Sequence, residues 1–332
     1  MGGWQIANPT RGNQNQQHQP NVLLRQLRAA DIREVKCFQL DPQGTIVAWQ
    51  VHGQTRPVFR ITFRDNSALV IKAESGGTDR DVNKNLAWGG KLMRQVSPQM
   101  KVQLLSQDEV RELRAISPMA FTPRNARAYL TDLLDATQMG IFVWVKMPYL
   151  SGLQDADDAL KKGGDKAAEL YATLSTAQTM RTFGKILAID LFIGNADRVD
   201  PITGRIQNTG NVIFQRLGDG SLSMIGLDFY EASGEFSNLS STFIHPRWGG
   251  LHLLNTNTMD NFAMMVIRGL NQMFEEAKIN VDYFTPGHAF QLRIGMEEGV
   301  EALREFISRR LRTKTVQQGV LARAVRLNWY NY

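Results

Sequence analysis

The hydrophobic pattern of this chain changes period near residue 147. Upstream, apolar side chains recur every second residue: Val58 to Phe63 puts Phe59, Ile61 and Phe63 on one face, and Ala68 to Ala73 reads ALVIKA. A two-residue period is that of a strand with one face buried. Downstream, the spacing lengthens to three and four residues, as in Leu170, Leu174, Ala177 and again in Phe262, Met265, Val266, Leu270. That is the period of an amphipathic helix. Between the two regimes lies Lys146-Met147-Pro148-Tyr149-Leu150-Ser151-Gly152, which breaks both patterns and reads as a linker. The expectation is an α+β, bilobal chain: a β-rich lobe over residues 32–147, a mainly helical lobe over 148–332, and a ligand cleft between them.

In the first lobe, Thr45 to Val51 (TIVAWQV) is a further strand, and Arg64-Asp65-Asn66-Ser67 has the chemistry of a hairpin turn. A helix is expected over about 79–96, with strands over 101–105 and 140–147. In the second lobe one helix is expected over 165–192, then a β-hairpin of 211–214 and 223–228 around Gly218-Asp219-Gly220. Helices over 257–278 and 289–312 follow. Asn8 to Asn21 is polar and rich in Asn and Gln, so residues 1–31 are expected to be a flexible leader.

Composition removes several alternatives. No run of 18 apolar residues exists, so no membrane-spanning helix is expected. The single cysteine, Cys37, excludes an internal disulfide framework and a cysteine-rich metal site. The five histidines show no metal spacing. Thirty-eight Lys and Arg against 32 Asp and Glu give a net charge of +6, which suits anionic ligands such as phosphates without implying nucleic acid. The expected compartment is the cytoplasm, or a host cell reached through a specialised secretion machine. The basic stretch Arg309, Arg310, Arg312, Lys314, Arg323 and Arg326 reads as a solvated helix face or as a dock for a phosphorylated or acidic partner or a membrane surface.

Four polar groups interrupt apolar segments in a telling order. Lys72 ends a buried strand. Ile193-Gly194-Asn195-Ala196-Asp197-Arg198 follows an apolar helix, Gly210-Asn211-Val212-Ile213-Phe214 opens a strand, and Ile225-Gly226-Leu227-Asp228 closes its partner. Phosphoryl transfer needs this chemistry: a cation for the phosphates, oxygen ligands for a hard metal, and a carboxylate that takes a hydroxyl proton. Each piece has a bland reading. A lysine can blunt an edge strand, Gly-Asn is a common turn, and Asp-Arg at a helix end is an ordinary ion pair. Asp228 is harder to dismiss, because a carboxylate ending an apolar strand needs a partner.

The phrases IGNADR, GNVIF and GLDFYEA, with ALVIKAE and FVWVKMPYLSG, resemble the atypical kinases built on the protein-kinase-like fold: the actin-fragmin kinase family, the phosphatidylinositol kinases and the HipA-type bacterial kinases. The resemblance covers roughly residues 35–280. It implies ATP and Mg2+ as cofactors and a hydroxyl-bearing substrate, with a protein favoured. It also implies Lys72 on the nucleotide phosphates, Met147 and Tyr149 at the nucleotide hinge, Asp197 and Arg198 as the catalytic residues, Asp197 as base and Arg198 supporting its loop, and Asn211 and Asp228 as metal ligands. The family's helix acid that pairs with the lysine has no counterpart over 79–96, where Asn85 and Asp81 stand; Glu74, on the lysine's own strand, is the substitute. The gap from Asp197 to Asn211 is long, its insert Val199 to Thr209 reads as a substrate loop, and Asn208 is a rival ligand. Phe229-Tyr230 follows the aspartate, and Asp41-Pro42-Gln43-Gly44 is a poor phosphate loop. A pseudokinase serving as a binding module, or a kinase fold transferring another group such as AMP, is the alternative.

Overall fold

The computed structural model describes residues 24–37, 58–75, 88–140, 142–227, 250–316 and 318–329. Its first unit is a six-stranded sheet in the order β4-β6-β3-β2-β1-β5. The strands are β1 (Ile32–Cys37), β2 (Val58–Phe63), β3 (Ala68–Ser75), β4 (Gln103–Leu104), β5 (Phe121–Thr122) and β6 (Phe142–Pro148). Alternation sets the register as read from sequence. Phe59, Ile61 and Phe63 are all buried, and β2 pairs with β3 through Ile61 opposite Leu69 and Val58 opposite Lys72. Asn66 adopts φ 67° in the connecting turn, a conformation asparagine tolerates better than most residues. The expected strand Thr45 to Val51 and the candidate phosphate loop at 41–44 lie outside the described residues.

Two helices cover one face of this sheet: α2 (Gln107–Arg114) and α3 (Ala126–Gln138). Leu113, Leu130 and Leu134 pack there with Phe59, Ile61, Ile71 and Trp144. Neither helix was expected, because α2 reads QDEVRELR and buries only Glu109 and Leu113. Residues 24–31 also belong to this lobe and do not behave as a leader. Leu27 is fully buried, and its backbone N–H donates to Glu109 at 3.0 Å, while that of Ala29 donates to Glu112 at 2.7 Å.

The opposite face of β6 carries Val143, Val145 and Met147, which share one core with the helical lobe and with Leu92 and Met93 of α1, described over residues 88–93. The expected linker begins later than the sequence suggests: Lys146, Met147 and Pro148 are still strand, and only 149–152 connect to β7 (Leu153–Asp155). β7 joins β8 (Ile213–Arg216) and β9 (Leu222–Ile225) in a second sheet, ordered β7-β8-β9.

The expected helix over 165–192 is two helices, α5 (Gly164–Leu174) and α6 (Ala177–Ile193), preceded by α4 (Ala156–Lys162). Thr176 makes the break by capping α6, its side chain accepting from the Thr179 N–H at 3.2 Å. The last eight residues of α6 are all buried. It crosses α8 (Pro286–Arg312) at close range, because a Cβ on Gly184 would overlap the Leu292 carbonyl and one on Gly295 that of Arg181. The remaining helices are α7 (Thr256–Glu276) and α9 (Gln318–Arg326). Arg323 of α9 departs from the solvated face expected of it. It is buried, donates to the Phe192 carbonyl at the end of α6, and its pKa is pushed down to about 9, by burial first and then by Arg326. Among the described residues no helix is long and apolar enough to cross a membrane.

Candidate functional site

Lys72 and Glu74 stand two residues apart on β3, so they share the face turned toward the helical lobe. The Lys72 ammonium lies 3.0 Å from Glu74 Oε1, with side-chain exposures of 19% and 5%. Val58 and Val145 flank Lys72 in register on the neighbouring strands. The glutamate is thus supplied by the lysine's own strand.

Lys72 lines a cavity of about 530 Å³ between the two sheets. Val58 and Val70 join it above, the end of β6 contributes Met147 and Pro148, the connecting segment Tyr149 and Leu150, and Gly210, Ile213 and Leu227 close the opposite wall. The volume falls within the range of small-molecule sites, and the mix of apolar walls with one cation suits a ligand with a flat apolar part and an anionic part. The Tyr149 ring is held by the Arg60 guanidinium, 4.2 Å from its centroid.

Below the cavity a second cluster is assembled around Arg198. Gly194 ends α6 with φ 83°, and its N–H and that of Asn195 both donate to the Asp190 carbonyl at 2.8 Å. This αL stop turns the chain sharply out of the helix. The Asp190 carboxylate accepts from Asn195 Nδ2 at 2.9 Å and from Arg198 Nε at 2.8 Å. Arg198 is wholly buried, and the rest of its fork donates to the carbonyls of Asn211 and, at 2.5 Å, of Leu227. One guanidinium therefore ties together the end of α6, the entry to β8 and the exit of β9. Arg198, expected to be catalytic beside Asp197, is fully buried and cannot touch a substrate; what it does is hold these three segments together. Burial pushes the Asp190 carboxyl above its ordinary range, and Arg198 and Asn195 oppose that shift. Asp190 was not singled out in the sequence. Its signal was present: one carboxylate inside the apolar run Ile186 to Ile193 demands a buried partner.

Asp197 is exposed. Its Oδ2 accepts from Asn211 Nδ2 at 2.6 Å and from Asn208 Nδ2 at 3.4 Å, while its N–H donates to Asn195 Oδ1 at 3.1 Å. Asn211 is buried next to Gly210 of the cavity wall. Lys72, Met147 and Tyr149 thus meet in one cavity, Asp197 and Asn211 meet each other, and Gly210 joins the two groups. Neither Asp197 nor Asn211 itself lines the cavity. Asp228 lies outside the described residues. The last residue before it, Leu227, lines the cavity, and the Gly226 N–H donates to Ser97 Oγ at 2.9 Å.

The insert 199–209 is a packed turn. Val199 and Ile206 are buried and form a bridge, Asp200 Oδ1 accepts from the N–H groups of Ile202 and Thr203 at 2.7 and 3.1 Å, and Gly204 (φ 71°) sits where a Cβ would strike Met265. Among the described residues no three His, Cys, Asp or Glu side chains converge as a metal site.

No family model matches this sequence, and no curated protein matches it. Among solved structures, the golgi casein kinase aligns over 82% of this chain and 72% of its own, with 12% identity and a TM-score of 0.28. A likeness at that level carries no argument about fold or activity.

Proposed function

We propose that this chain is an ATP- and magnesium-dependent phosphotransferase with a protein-kinase-like fold, acting on a hydroxyl of a protein. The observation that carries the reading is the company Lys72 keeps. A partly solvated lysine, paired with a buried glutamate at 3.0 Å, lines a cavity of about 530 Å³ whose far wall adjoins the Asn211–Asp197 pair.

In this reading the nucleobase lies against Met147 and Tyr149, and its phosphates run toward Lys72. Glu74 keeps the ammonium aimed along the cavity rather than out to water. Asp197 accepts the proton of the attacking hydroxyl, and general-base help of this kind is worth roughly 10²–10⁴ in rate. Asn211 and Asn208 hold Oδ2 of that carboxylate by amide hydrogen bonds, which fixes its direction. Magnesium, when bound, would neutralise part of the phosphate charge. Such a hard cation suits the oxygen donors expected for it, the amide of Asn211 and the carboxylate of Asp228, with Asn208 as rival, and neither thiolate nor imidazole among them.

The test is incubation of the full chain with labelled ATP and a cell lysate. Wild type should label a protein, and Asp197→Ala should lower labelling by ~10²-fold or more while leaving the melting temperature in place. Equal labelling by the two would remove Asp197 from the mechanism. A second reading, transfer of AMP or nucleotide binding without transfer, draws on one observation, the acid supplied to Lys72 by its own strand. Intact mass of the labelled product separates the two transfers, and a melting temperature raised by ATP with no product identifies the binding module.

A further inference from the structure

Lys91 of α1 and Arg310 in the last turn of α8 converge from different parts of the chain. Lys91 Nζ sits 4.9 Å over the Trp88 ring, and the Arg310 guanidinium 5.3 Å over the Phe306 ring. The two rings meet edge to face at 5.9 Å. The helices are further linked by Arg309, which donates to Gln95 Oε1 at 3.4 Å, while Gln95 Nε2 donates to the Lys91 carbonyl at 2.8 Å. Two cations therefore stand over adjoining rings, close enough for the charge of Arg310 to act on Lys91.

Nothing among the described residues balances them. Arg309 has Glu305 at 3.8 Å, but among the described residues neither Lys91 nor Arg310 has a carboxylate within ion-pair distance. The Lys91 ammonium is held below its ordinary range, by burial first and then by the charge of Arg310. The dipole of α8 accounts for arginines in its own last turn. It does not account for a lysine brought to them by another helix, because like charges held together oppose folding.

We propose that the Lys91–Arg310 cluster between α1 and α8 is a binding site for a phosphorylated side chain. A phosphate monoester carries close to two negative charges and three acceptor oxygens, so one group neutralises both cations, whereas a carboxylate neutralises one. Cations pinned on ring faces suit a point dianion. A lipid surface is met instead by long cationic side chains free to extend toward it.

Calorimetric titration of the full chain without nucleotide tests this independently of any phosphotransfer. The probes are a short phosphoserine peptide, the same peptide unphosphorylated, inorganic phosphate, and phosphatidylserine vesicles. The phosphopeptide should saturate, and Lys91→Ala with Arg310→Ala together should weaken it at least ~tenfold, as expected for loss of charge-assisted contacts. Arg268→Ala, an exposed arginine on α7, should leave the affinity unchanged. Circular dichroism melts establish that the double variant is folded; if it is not, Lys91→Gln and Arg310→Gln singly serve the same comparison. Equal binding of both peptides, equal binding by wild type and variant, or binding of vesicles alone overturns the proposal. Inorganic phosphate binding as tightly as the phosphopeptide overturns the assignment to a side chain.

Discussion

Two lysine–glutamate pairs lie one strand apart in the large sheet and point to opposite faces. Lys146 of β6 shares the covered face with Trp144, and its ammonium is 2.5 Å from Glu109, both residues being only 4% exposed. Lys72 of β3 points into the cavity, 3.0 Å from Glu74. The Glu109 carboxylate is saturated: Oε1 also accepts from the Leu27 N–H, and Oε2 from the N–H of Ser106, the N-cap of α2. It thereby fastens the segment before β1, the start of α2 and the strand leading to the cavity. The same two residue types form a structural rivet where every lone pair is used, and a ligand-ready pair where the cation opens on a cavity.

The contrast breaks most visibly in stability. Removing one member of a fully buried pair strands the other, at a cost of about 3–5 kcal/mol. Glu109→Ala should therefore lower the unfolding free energy by that amount, read from urea midpoints at constant slope. A loss below ~1 kcal/mol would mean that the Arg25 carbonyl, to which Lys146 Nζ also donates at 3.2 Å, suffices for the ammonium together with water, and that the rivet is not one.

Lys72→Met should cost less, about 1–2 kcal/mol, because its ammonium is already partly hydrated. Its larger consequence should be in ligand response. A ligand at a hundred times its dissociation constant raises the stability of the folded state by about 2.7 kcal/mol. Wild type should show a rise of that kind with ATP and magnesium, and Lys72→Met should show little of it. Glu109 variants that remain folded should keep it. An equal rise in wild type and Lys72→Met would take the nucleotide away from β3.

The two pairs also differed in legibility. Lys72 was readable because a charge ending an apolar strand is anomalous within a short window, and the β2–β3 hairpin around it was written in alternation and turn chemistry. Lys146 lay in a segment whose Pro148 and Gly152 suggested a break, and its partner is 37 residues away on a helix whose polar sequence hides its buried face. The break between α5 and α6 was invisible because Ser175-Thr176 interrupts the apolar period only slightly. Arg198 shows the general limit. Its place beside Asp197 suggested chemistry, but its function as a strut depends on carbonyls 13 and 29 residues downstream, which no local pattern encodes.

The smallest expected effect sharpens the comparison through pH. Burial alone would raise the Glu109 carboxyl, but the Lys146 ammonium and the N–H groups of Leu27 and Ser106 more than reverse this and hold it below the ordinary range. A carboxyl depressed in the folded state binds its proton more readily in the unfolded chain. Its contribution to stability is then complete above the ordinary carboxylate range and is lost as pH falls through the lowered folded value. Other carboxylates held low, among them Asp200 and Glu169, lose stability in the same direction, so the acid limb of wild type alone proves nothing. The difference between wild type and Glu109→Gln isolates the pair. The gap between their unfolding free energies should be widest near about pH 7 and narrow steadily below about pH 5, at no more than about 1.4 kcal/mol per pH unit for one proton. A gap that stays constant across this range would mean that Glu109 holds Lys146 by shape and neutral hydrogen bonds rather than by charge, and the distinction between rivet and ligand-ready pair would then rest on packing alone.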